Sequence, residues 1–242
     1  MRTAKEELEN FSAALVAARA KSTAVLQALG IPSSILAKGS LAGYEIEDLF
    51  AKLGVGRSPL TLLEIGSFVG LTSLTLAQVL PTGSRIFSVD PAFPLKMQLA
   101  EVGSDDGRSC LEVARQAAEE LRISSIVTFV RGFFSCSPTQ ELRDRLKQQQ
   151  VCDDEAPIVF QDIQRSGPFD VVIVDGEHST DAVFSDLVAA ADMLGADGCM
   201  VVHDTKGKWG SFVLAGVERF LANSSDWNFV TADNLGFLKR RK

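Results

Sequence analysis

Both histidines of the chain belong to short polar groups that could carry out proton transfer or bind a metal ion. One group runs from Asp175 to His178, and the other comprises His203, Asp204 and Thr205. Each group follows a run of apolar residues typical of a buried strand. If the two strands are neighbours, Asp175, His203 and Asp204 come together with His178 close by. Carboxylate and imidazole groups bind Mg²⁺ or another divalent cation, and an imidazole can instead deprotonate a hydroxyl group. Purely structural roles for both histidines are the alternative.

A second feature is a glycine-containing turn between an apolar run and a helical stretch. It reads Glu-Ile-Gly-Ser-Phe-Val-Gly over residues 64–70. Glycines let the backbone approach a ligand closely, and the free N–H groups at a helix start attract an anion. Because Phe68 interrupts the GxGxxG pattern and no Gly-Lys-Ser/Thr follows, NAD and ATP are less favoured ligands. A tight turn that needs glycine for its geometry alone is the alternative.

A third feature is Asp90, which ends the next apolar run and lies about twenty residues after Gly70. At that spacing a carboxylate can accept both hydroxyl groups of a ribose. Together with the glycine turn, Asp90 therefore indicates an adenosine-containing ligand. An Asp before Pro91 that only forms a solvated turn is the alternative.

The chain from Thr61 onward alternates short apolar runs with helical stretches, which is typical of a parallel sheet covered by helices on both faces. The predicted strands are 61–65, 85–89, 126–130, 170–174 and 199–203, and the predicted helices are 71–80, 108–121, 179–194 and 211–222. Two further runs, 227–231 and 235–238, are too close for a helix between them and are expected to form a hairpin. We therefore predict a doubly wound α/β fold with a seven-stranded, mostly parallel sheet and an antiparallel last strand. Ligands of such sheets bind at the carboxyl ends of the strands, where the three polar features lie.

Two segments lie outside this alternation. Apolar residues spaced by three and four predict one long helix from Thr3 to Leu29, which ends at Gly30 and Pro32, and a shorter helix over 45–53. The stripe of the long helix must pack on its own chain or on a second copy, which leaves a homo-oligomer open. The stretch 136–168 is longer than one crossover needs, and this insertion, with a charged helix over 141–150, is expected to cover a sheet edge or the site.

Composition excludes several classes of partner. The 242 residues are 46% hydrophobic, and 24 basic against 31 acidic residues give a net charge of −7, which argues against nucleic acid. Residues 65–84 carry no charge but contain Gly, Ser and Thr throughout, so we predict neither a membrane span nor a membrane partner. Four scattered cysteines without a CxxC spacing, and a first segment of mixed charge, favour reduced thiols and a cytoplasmic location.

Taken together, four segments resemble the class I S-adenosylmethionine (SAM)-dependent methyltransferases. They read Glu-Ile-Gly-Ser-x-x-Gly, Ser-Val-Asp-Pro, Phe-Asp-Val-Val-Ile-Val-Asp-Gly-Glu-His and Val-Val-His-Asp-Thr. Within that class the chain is most similar to the catechol and macrocin O-methyltransferases and their cephalosporin-hydroxylase-like relatives. The resemblance covers Leu62 to the C-terminus. It implies a Rossmann-like methyltransferase domain over 58–242, with the insertion at about 136–168, and an N-terminal helical cap over 1–57.

The resemblance also implies a role for each matching residue. The residues implied to bind SAM are Glu64, Gly66, Ser67, Phe68, Gly70 and Thr72 around the methionine part, Asp90 at the ribose, and Gly132, Phe133 and Phe134 around the adenine. The implied catalytic residues are His178, in the place of the general base, and Asp175. Asp175, His203 and Asp204 occupy the metal-binding positions. An acid is usual at position 203 in metal-dependent relatives, so a need for Mg²⁺ or another divalent cation stays open.

The function expected from this resemblance is SAM-dependent methylation of a hydroxyl group on a small molecule, a sugar or natural product rather than a catechol. The methyl of SAM is already activated, so the protein must align an acceptor oxygen and remove its proton. Two other functions stay open: an NAD-dependent oxidoreductase, and a catalytically silent methyltransferase-like binding module. The acceptor itself is not specified by any motif.

Overall fold

The computed structural model of the protein describes residues 4–36, 40–53, 58–95, 107–135 and 156–242. The described helices are α1 (Ala4–Ala28), α2 (Ser33–Leu36), α3 (Gly43–Leu53), α4 (Leu71–Ala77), α5 (Cys110–Glu120), α6 (Phe160–Gln164), α7 (Thr180–Met193) and α8 (Gly210–Asn223). The described strands are β1 (Thr61–Ile65), β2 (Arg85–Asp90), β3 (Val127–Arg131), β4 (Phe169–Val174), β5 (Leu194–Val202), β6 (Trp227–Ala232) and β7 (Leu235–Arg240). The predicted helix over 141–150 and most of the insertion lie outside the described residues.

The strands form one seven-stranded sheet in the order β3-β2-β1-β4-β5-β7-β6. Strands β1 to β5 pair in parallel, whereas β7 runs antiparallel to both β5 and β6. A parallel pair needs a crossover connection, while a two-residue turn suffices for the final hairpin. The predicted doubly wound fold with an antiparallel last strand is therefore confirmed.

Helices bury both faces of the sheet, which explains why the strands read as nearly continuous apolar runs. Successive strand residues point to opposite faces, so Leu62 belongs to one core cluster and Leu63 to the other. The first cluster contains buried side chains of α1 to α5. The second contains those of α6, α7 and α8. The N-terminal helices thus share one hydrophobic core with a face of the sheet.

The apolar stripe of α1 is buried within its own chain. Leu15, Ala18, Ser22 and Leu26 are the buried members, and the helix packs against α4, α3 and α5. The polar Ser22 is accommodated because its Oγ accepts a hydrogen bond of 2.8 Å from the Gln78 side chain. The helix ends at Ala28, and Gly30, two residues further on, has a φ of 91°, the left-handed conformation that favours glycine after a helix. Neither α1 nor any other described helix is long and apolar enough to cross a membrane.

The structure differs from the predicted elements at two places. β5 begins at Leu194 rather than at residue 199, because Leu194 pairs with Phe169 across a register irregularity before Cys199 continues the ladder. The segment between the two predicted N-terminal helices contains the short helix α2. Within the insertion, Ile158 forms an isolated parallel bridge with Phe133, and the next residues lead into α6.

The register of the parallel strands aligns their carboxyl ends. Ile65 of β1 pairs with Val89 on one side and Val174 on the other, and Val174 also pairs with Val202. The residues that follow these strands therefore lie along one edge of the sheet, where the candidate site is built.

Candidate active site

The glycine turn and the Asp175 group are in direct contact at this edge. Gly66 adopts a φ of 91°, and a Cβ at this position would lie 2.1 Å from the carbonyl oxygen of Asp175. The Asp175 N–H donates to the carbonyl of Ile65 at 2.9 Å, and the Gly66 N–H donates to that of Val89 at 2.8 Å. Only glycine fits so close an approach. The fold thus brings two of the predicted motifs together through backbone contacts.

The turn that follows β1 offers polar groups to a ligand. Phe68 and Gly70 also have positive φ values, 49° and 78°, so the chain curls tightly before α4. Helix α4 has no side-chain cap at Gly70 and no acidic residue in its first turn. Ser67 is 3% exposed, and within the described part of the chain its hydroxyl group has no hydrogen-bond partner. A buried polar atom of this kind is expected to bind a ligand or water.

Glu64 and Thr72 hold the turn from inside rather than facing solvent. The Glu64 carboxyl, 1% exposed, accepts hydrogen bonds from the hydroxyls of Ser73 at 2.5 Å and Ser88 at 2.6 Å. Burial raises the pKa of Glu64 to about 7, against the effect of these two bonds. The Thr72 hydroxyl accepts from the Leu41 N–H at 3.1 Å. Both predicted cofactor residues therefore support the turn through internal hydrogen bonds.

Asp90 closes the turn from β2. Its two carboxylate oxygens accept hydrogen bonds from the N–H groups of Phe68, at 2.9 Å, and Ala92, at 2.7 Å. Burial raises the pKa of Asp90 to about 6, although these backbone donors act in the opposite direction. The backbone N–H groups of Phe93 and Ser67 also act on this carboxylate, so the backbone of the surrounding turns holds Asp90 in place.

The segment after β3 is fixed by residues 157–159. The Phe133 N–H donates to the Pro157 carbonyl at 2.8 Å, and a Cβ on Gly132 would lie 2.5 Å from that same oxygen. Phe133 is half-buried and keeps accessible surface. Phe134 is 3% exposed and packs edge-on against Phe160 in the core. The burial of Phe134 does not agree with the prediction that it flanks the adenine. The accessible surface of Phe133 agrees with that prediction for Phe133.

The structure brings together one potential metal-ligand atom from each of Asp175, His178 and Asp204. One atom from each lies within 4.8 Å of the others. His178 Nε2 is 2.8 Å from Asp204 Oδ2 and 4.0 Å from Asp175 Oδ1. The first contact lies outside hydrogen-bond geometry, so the buried Nε2 has no hydrogen-bond partner among the described residues. An imidazole nitrogen and two carboxylates in this arrangement fit a divalent cation or a proton acceptor with charged neighbours.

His203 lies behind this group instead of completing it, which differs from the predicted ligand set of Asp175, His203 and Asp204. Its Nδ1 is 2.8 Å from Asp175 Oδ1 and 3.6 Å from Asp204 Oδ2, and its Nε2 is 3.3 Å from Glu45. Both ring nitrogens are thus occupied by carboxylates, so neither faces the group as a free ligand atom. The structure has His178 in the place that the prediction gave to His203.

Charge explains the protonation expected of these groups. Burial alone would lower the pKa of His203, but the charge and hydrogen bond of Asp175, the bond to Glu45 and the charge of Asp204 raise it to about 11. Burial alone would raise the pKa of Asp204, but the neighbouring His178, the charge of His203 and the bond from Asn234 lower it to about 2. His203 is therefore a cation, and the carboxylate of Asp204 stays ionised.

Two residues of this centre were not predicted from the sequence: Glu45 comes from α3 and Asn234 from the β6–β7 turn. Trp209, which directly precedes α8, lies in the loop after the predicted His203 group. The Asn234 side chain donates to Asp204 Oδ1 at 3.1 Å, and the Trp209 ring stacks on His178 with centroids 5.4 Å apart. The turn at 232–234 was recognisable in the sequence. However, no pattern connects Glu45 with a strand end 158 residues further along the chain.

Comparisons with known proteins agree with the fold. Residues 63–205 match the model of a family described as a methyltransferase domain, a match that covers more than half of the 242 residues. Among solved structures, the methyltransferase PaMTH1 from Podospora anserina, solved with S-adenosylhomocysteine (SAH), gives a TM-score of 0.58 at 14% identity, with 100% of this chain and 98% of that chain covered. A search of curated proteins gives no match.

Two further solved structures share the fold. The O-methyltransferase TomG from Streptomyces achromogenes, in complex with SAM, gives a TM-score of 0.52 at 17% identity, covering 93% of this chain and 90% of that chain. An O-methyltransferase from Bacillus cereus, in complex with SAH, gives 0.52 at 15% identity, covering 92% and 89%. The fold is that of SAM- and SAH-bound methyltransferases of known structure, as the motifs predicted. The chain belongs to the methyltransferase-domain family matched by residues 63–205.

Proposed function

We propose that the protein transfers the methyl group of SAM to a hydroxyl oxygen of a small molecule. The observation that carries this proposal is the pair of His178 and Asp204, 2.8 Å apart, next to a glycine turn that touches the backbone of Asp175. SAM supplies a methyl group already activated on a sulfonium. The chain has only to bind SAM, orient the acceptor and accept its proton.

The proposed cofactor site extends from the glycine turn to Asp90 and the end of β3. The buried Ser67 hydroxyl and the uncapped start of α4 suit the carboxylate of the methionine part. Asp90 is proposed for the ribose hydroxyls because it ends β2 at the same sheet edge and its carboxylate accepts from the Phe68 N–H of the glycine turn. Phe133 is the half-buried aromatic residue proposed for the adenine.

The proposed proton acceptor is His178. Its side chain is 27% exposed, and Asp204 stabilises the imidazolium that proton uptake produces. Asp175 lies 4.0 Å from the same ring nitrogen and adds a second negative charge. This arrangement suits methylation of a hydroxyl group, whose proton must be removed.

The same residues fit a divalent cation. Asp175, His178 and Asp204 would hold it, and a bound Mg²⁺ or similar ion would lower the pKa of the acceptor hydroxyl and fix its orientation. If His178 Nε2 binds the ion, that nitrogen cannot also take the proton. Metal binding and proton acceptance by His178 are therefore distinguishable roles. The acceptor proposed, a sugar or natural product, would lie under the N-terminal cap of residues 1–57.

Calorimetric titration of the purified protein with SAH, with and without Mg²⁺, tests the proposal. We expect micromolar binding of SAH and no binding of NAD under the same conditions. Binding of NAD in place of SAH would favour the oxidoreductase alternative. Binding of neither would contradict the cofactor assignment, whereas SAH binding without turnover in a broad acceptor screen would favour a silent binding module.

A further inference from the structure

The N-terminal segment contributes a buried carboxylate to the reaction centre. Glu45 is 3% exposed, and its carboxylate lies 3.3 Å from His203 Nε2. Burying a carboxylate costs free energy unless a cation or several donors compensate it. An apolar side chain would fill the same position on α3 at lower cost, so this charge needs an explanation beyond packing.

The local sequence explains how Glu45 reaches this position. It is the acidic residue in the first turn of α3, and its Oε2 accepts a hydrogen bond of 2.5 Å from the Ala42 N–H just before the helix. Such a bond back to the helix start fixes the side chain at the helix N-terminus. Arg19 of α1 donates to the carbonyl of Leu41 at 2.6 Å, which holds the preceding segment against the long helix.

From α3 the contacts continue in one line to the candidate centre. His203 lies between Glu45 on one ring nitrogen and Asp175 on the other, at 3.3 Å and 2.8 Å. Each ring nitrogen of His203 is thus within hydrogen-bond distance of one carboxylate. One oxygen of Asp175 is thereby fixed, and that carboxylate is oriented relative to His178 and Asp204.

The geometry points to Glu45 as a positioning residue of the reaction centre, which acts through His203 to orient Asp175. This inference rests on the proposed function, because Asp175 matters only if the centre performs or assists methyl transfer. The N-terminal cap is then part of the catalytic machinery as well as a cover over the acceptor.

The kinetic test compares E45Q with E47Q. Glu47 lies two residues further along α3, carries the same charge and is half-buried, so E47Q is the matched control. We expect E45Q to lower kcat on the order of tenfold, with the KM for SAM within twofold of the wild-type value, and E47Q to leave both unchanged. Equal effects of the two substitutions would overturn the inference.

A double-mutant cycle tests whether Glu45 acts through His203. If it does, E45Q adds little to the loss of kcat already caused by H203N, because H203N has already removed the side chain through which Glu45 acts. Additive losses in E45Q/H203N would contradict a path through His203 and indicate a general packing effect. Circular dichroism and SAH binding check that each variant is folded.

An NMR measurement distinguishes failure of this inference from failure of the proposed function. The chain has 2 histidines, so isotope labelling of histidine gives two ring systems, which H203N assigns. We expect E45Q to change the ring N–H signals of His203 and to leave those of His178 close to their wild-type positions. Unchanged His203 signals would overturn the inference whether or not methyl transfer is observed.

Discussion

The two halves of the site keep their carboxylates in different ways. On the β1–β2 half, Glu64 and Asp90 are buried and accept hydrogen bonds from neutral hydroxyl and N–H groups. On the β4–β5 half, Asp175 and Asp204 lie beside the two imidazoles, and His203 is additionally paired with Glu45. The carboxylates of the β1–β2 half (the neutral half) thus have neutral partners, whereas those of the β4–β5 half (the charged half) have charged ones.

This difference changes the ionisation of each half. Burial dominates at Glu64 and Asp90 and raises their pKa values to about 7 and about 6, because neutral donors compensate only part of the lost hydration. At Asp204 the imidazoles outweigh burial and lower the pKa to about 2. The neutral half is suited to binding hydroxyl groups of a ligand. The charged half is suited to proton transfer or to cation binding.

The largest effect is expected from H178A, which removes the proposed proton acceptor from the charged half. We expect kcat to fall by about 10²–10⁴-fold, the usual contribution of a positioned acid or base. The Kd of SAH should stay within twofold of the wild-type value, because the neutral half, where SAH is proposed to bind, is unchanged. Steady-state kinetics with an acceptor found by screening, together with calorimetry, measures both quantities.

Two outcomes of this experiment would change the interpretation. Unchanged turnover in H178A would exclude His178 from proton transfer and from a required metal site. A loss of turnover together with lost Mg²⁺ binding would identify His178 as a metal ligand and transfer the proton to another group.

A smaller effect, confined to the neutral half, is expected from D90N. The variant keeps the shape of the side chain but replaces a charged acceptor of ribose hydroxyls, and hydrogen bonds to charged groups contribute about 1.5–3 kcal/mol. The Kd of SAH is therefore expected to rise roughly 10- to 100-fold, and Mg²⁺ binding is expected to be unaffected. Thermal unfolding controls for the backbone bonds that Asp90 accepts from Phe68 and Ala92. An unchanged Kd would remove Asp90 from the cofactor site.

The contrast between the halves was only partly predictable from the sequence. Strand runs, glycine turns and the polar residues after them follow local patterns, so the fold and the positions of Asp90, Asp175 and His178 along the edge could be predicted. The contact of Gly66 with Asp175 follows from that topology. The position of His203 behind the ligand group could not be predicted, because it depends on Glu45 and Asn234, whose side chains meet His203 only after folding.

Asp186 of α7 sharpens the comparison because it lies next to the charged half but has a neutral partner. It is 6% exposed and accepts a hydrogen bond from the Ser135 hydroxyl, and burial raises its pKa to about 7. A raised pKa means that the folded protein binds more protons than the unfolded chain between about pH 4 and 7. The contribution of Asp186 to stability is therefore present at low pH and is lost as the pH rises towards 7.

For D186N we accordingly expect a flatter dependence of stability on pH. One such group contributes a slope of up to about 1.4 kcal/mol per pH unit, and Asn removes it while still accepting from Ser135. Urea unfolding at pH 5, 6, 7 and 8 measures the difference between variant and wild type, in which the contributions of Glu64 and Asp90 cancel. If the free energies of unfolding of D186N and wild type change with pH in parallel, Asp186 does not titrate in this pH range and the expectation is wrong.

The smallest effect is expected at Trp209, which contacts His178 without adding charge to that half. The stacked rings, 5.4 Å apart and inclined by 16°, restrict the orientation of the imidazole. Aromatic pairs contribute about 0.5–1.5 kcal/mol beyond burial, so W209A is expected to lower kcat roughly two- to tenfold. W209F keeps a stacking ring and should recover most of the loss, while the Kd of SAH stays unchanged in both variants. If W209F is as impaired as W209A, stacking is not what Trp209 contributes, and the orientation of His178 depends on Asp204 and Asp175 alone.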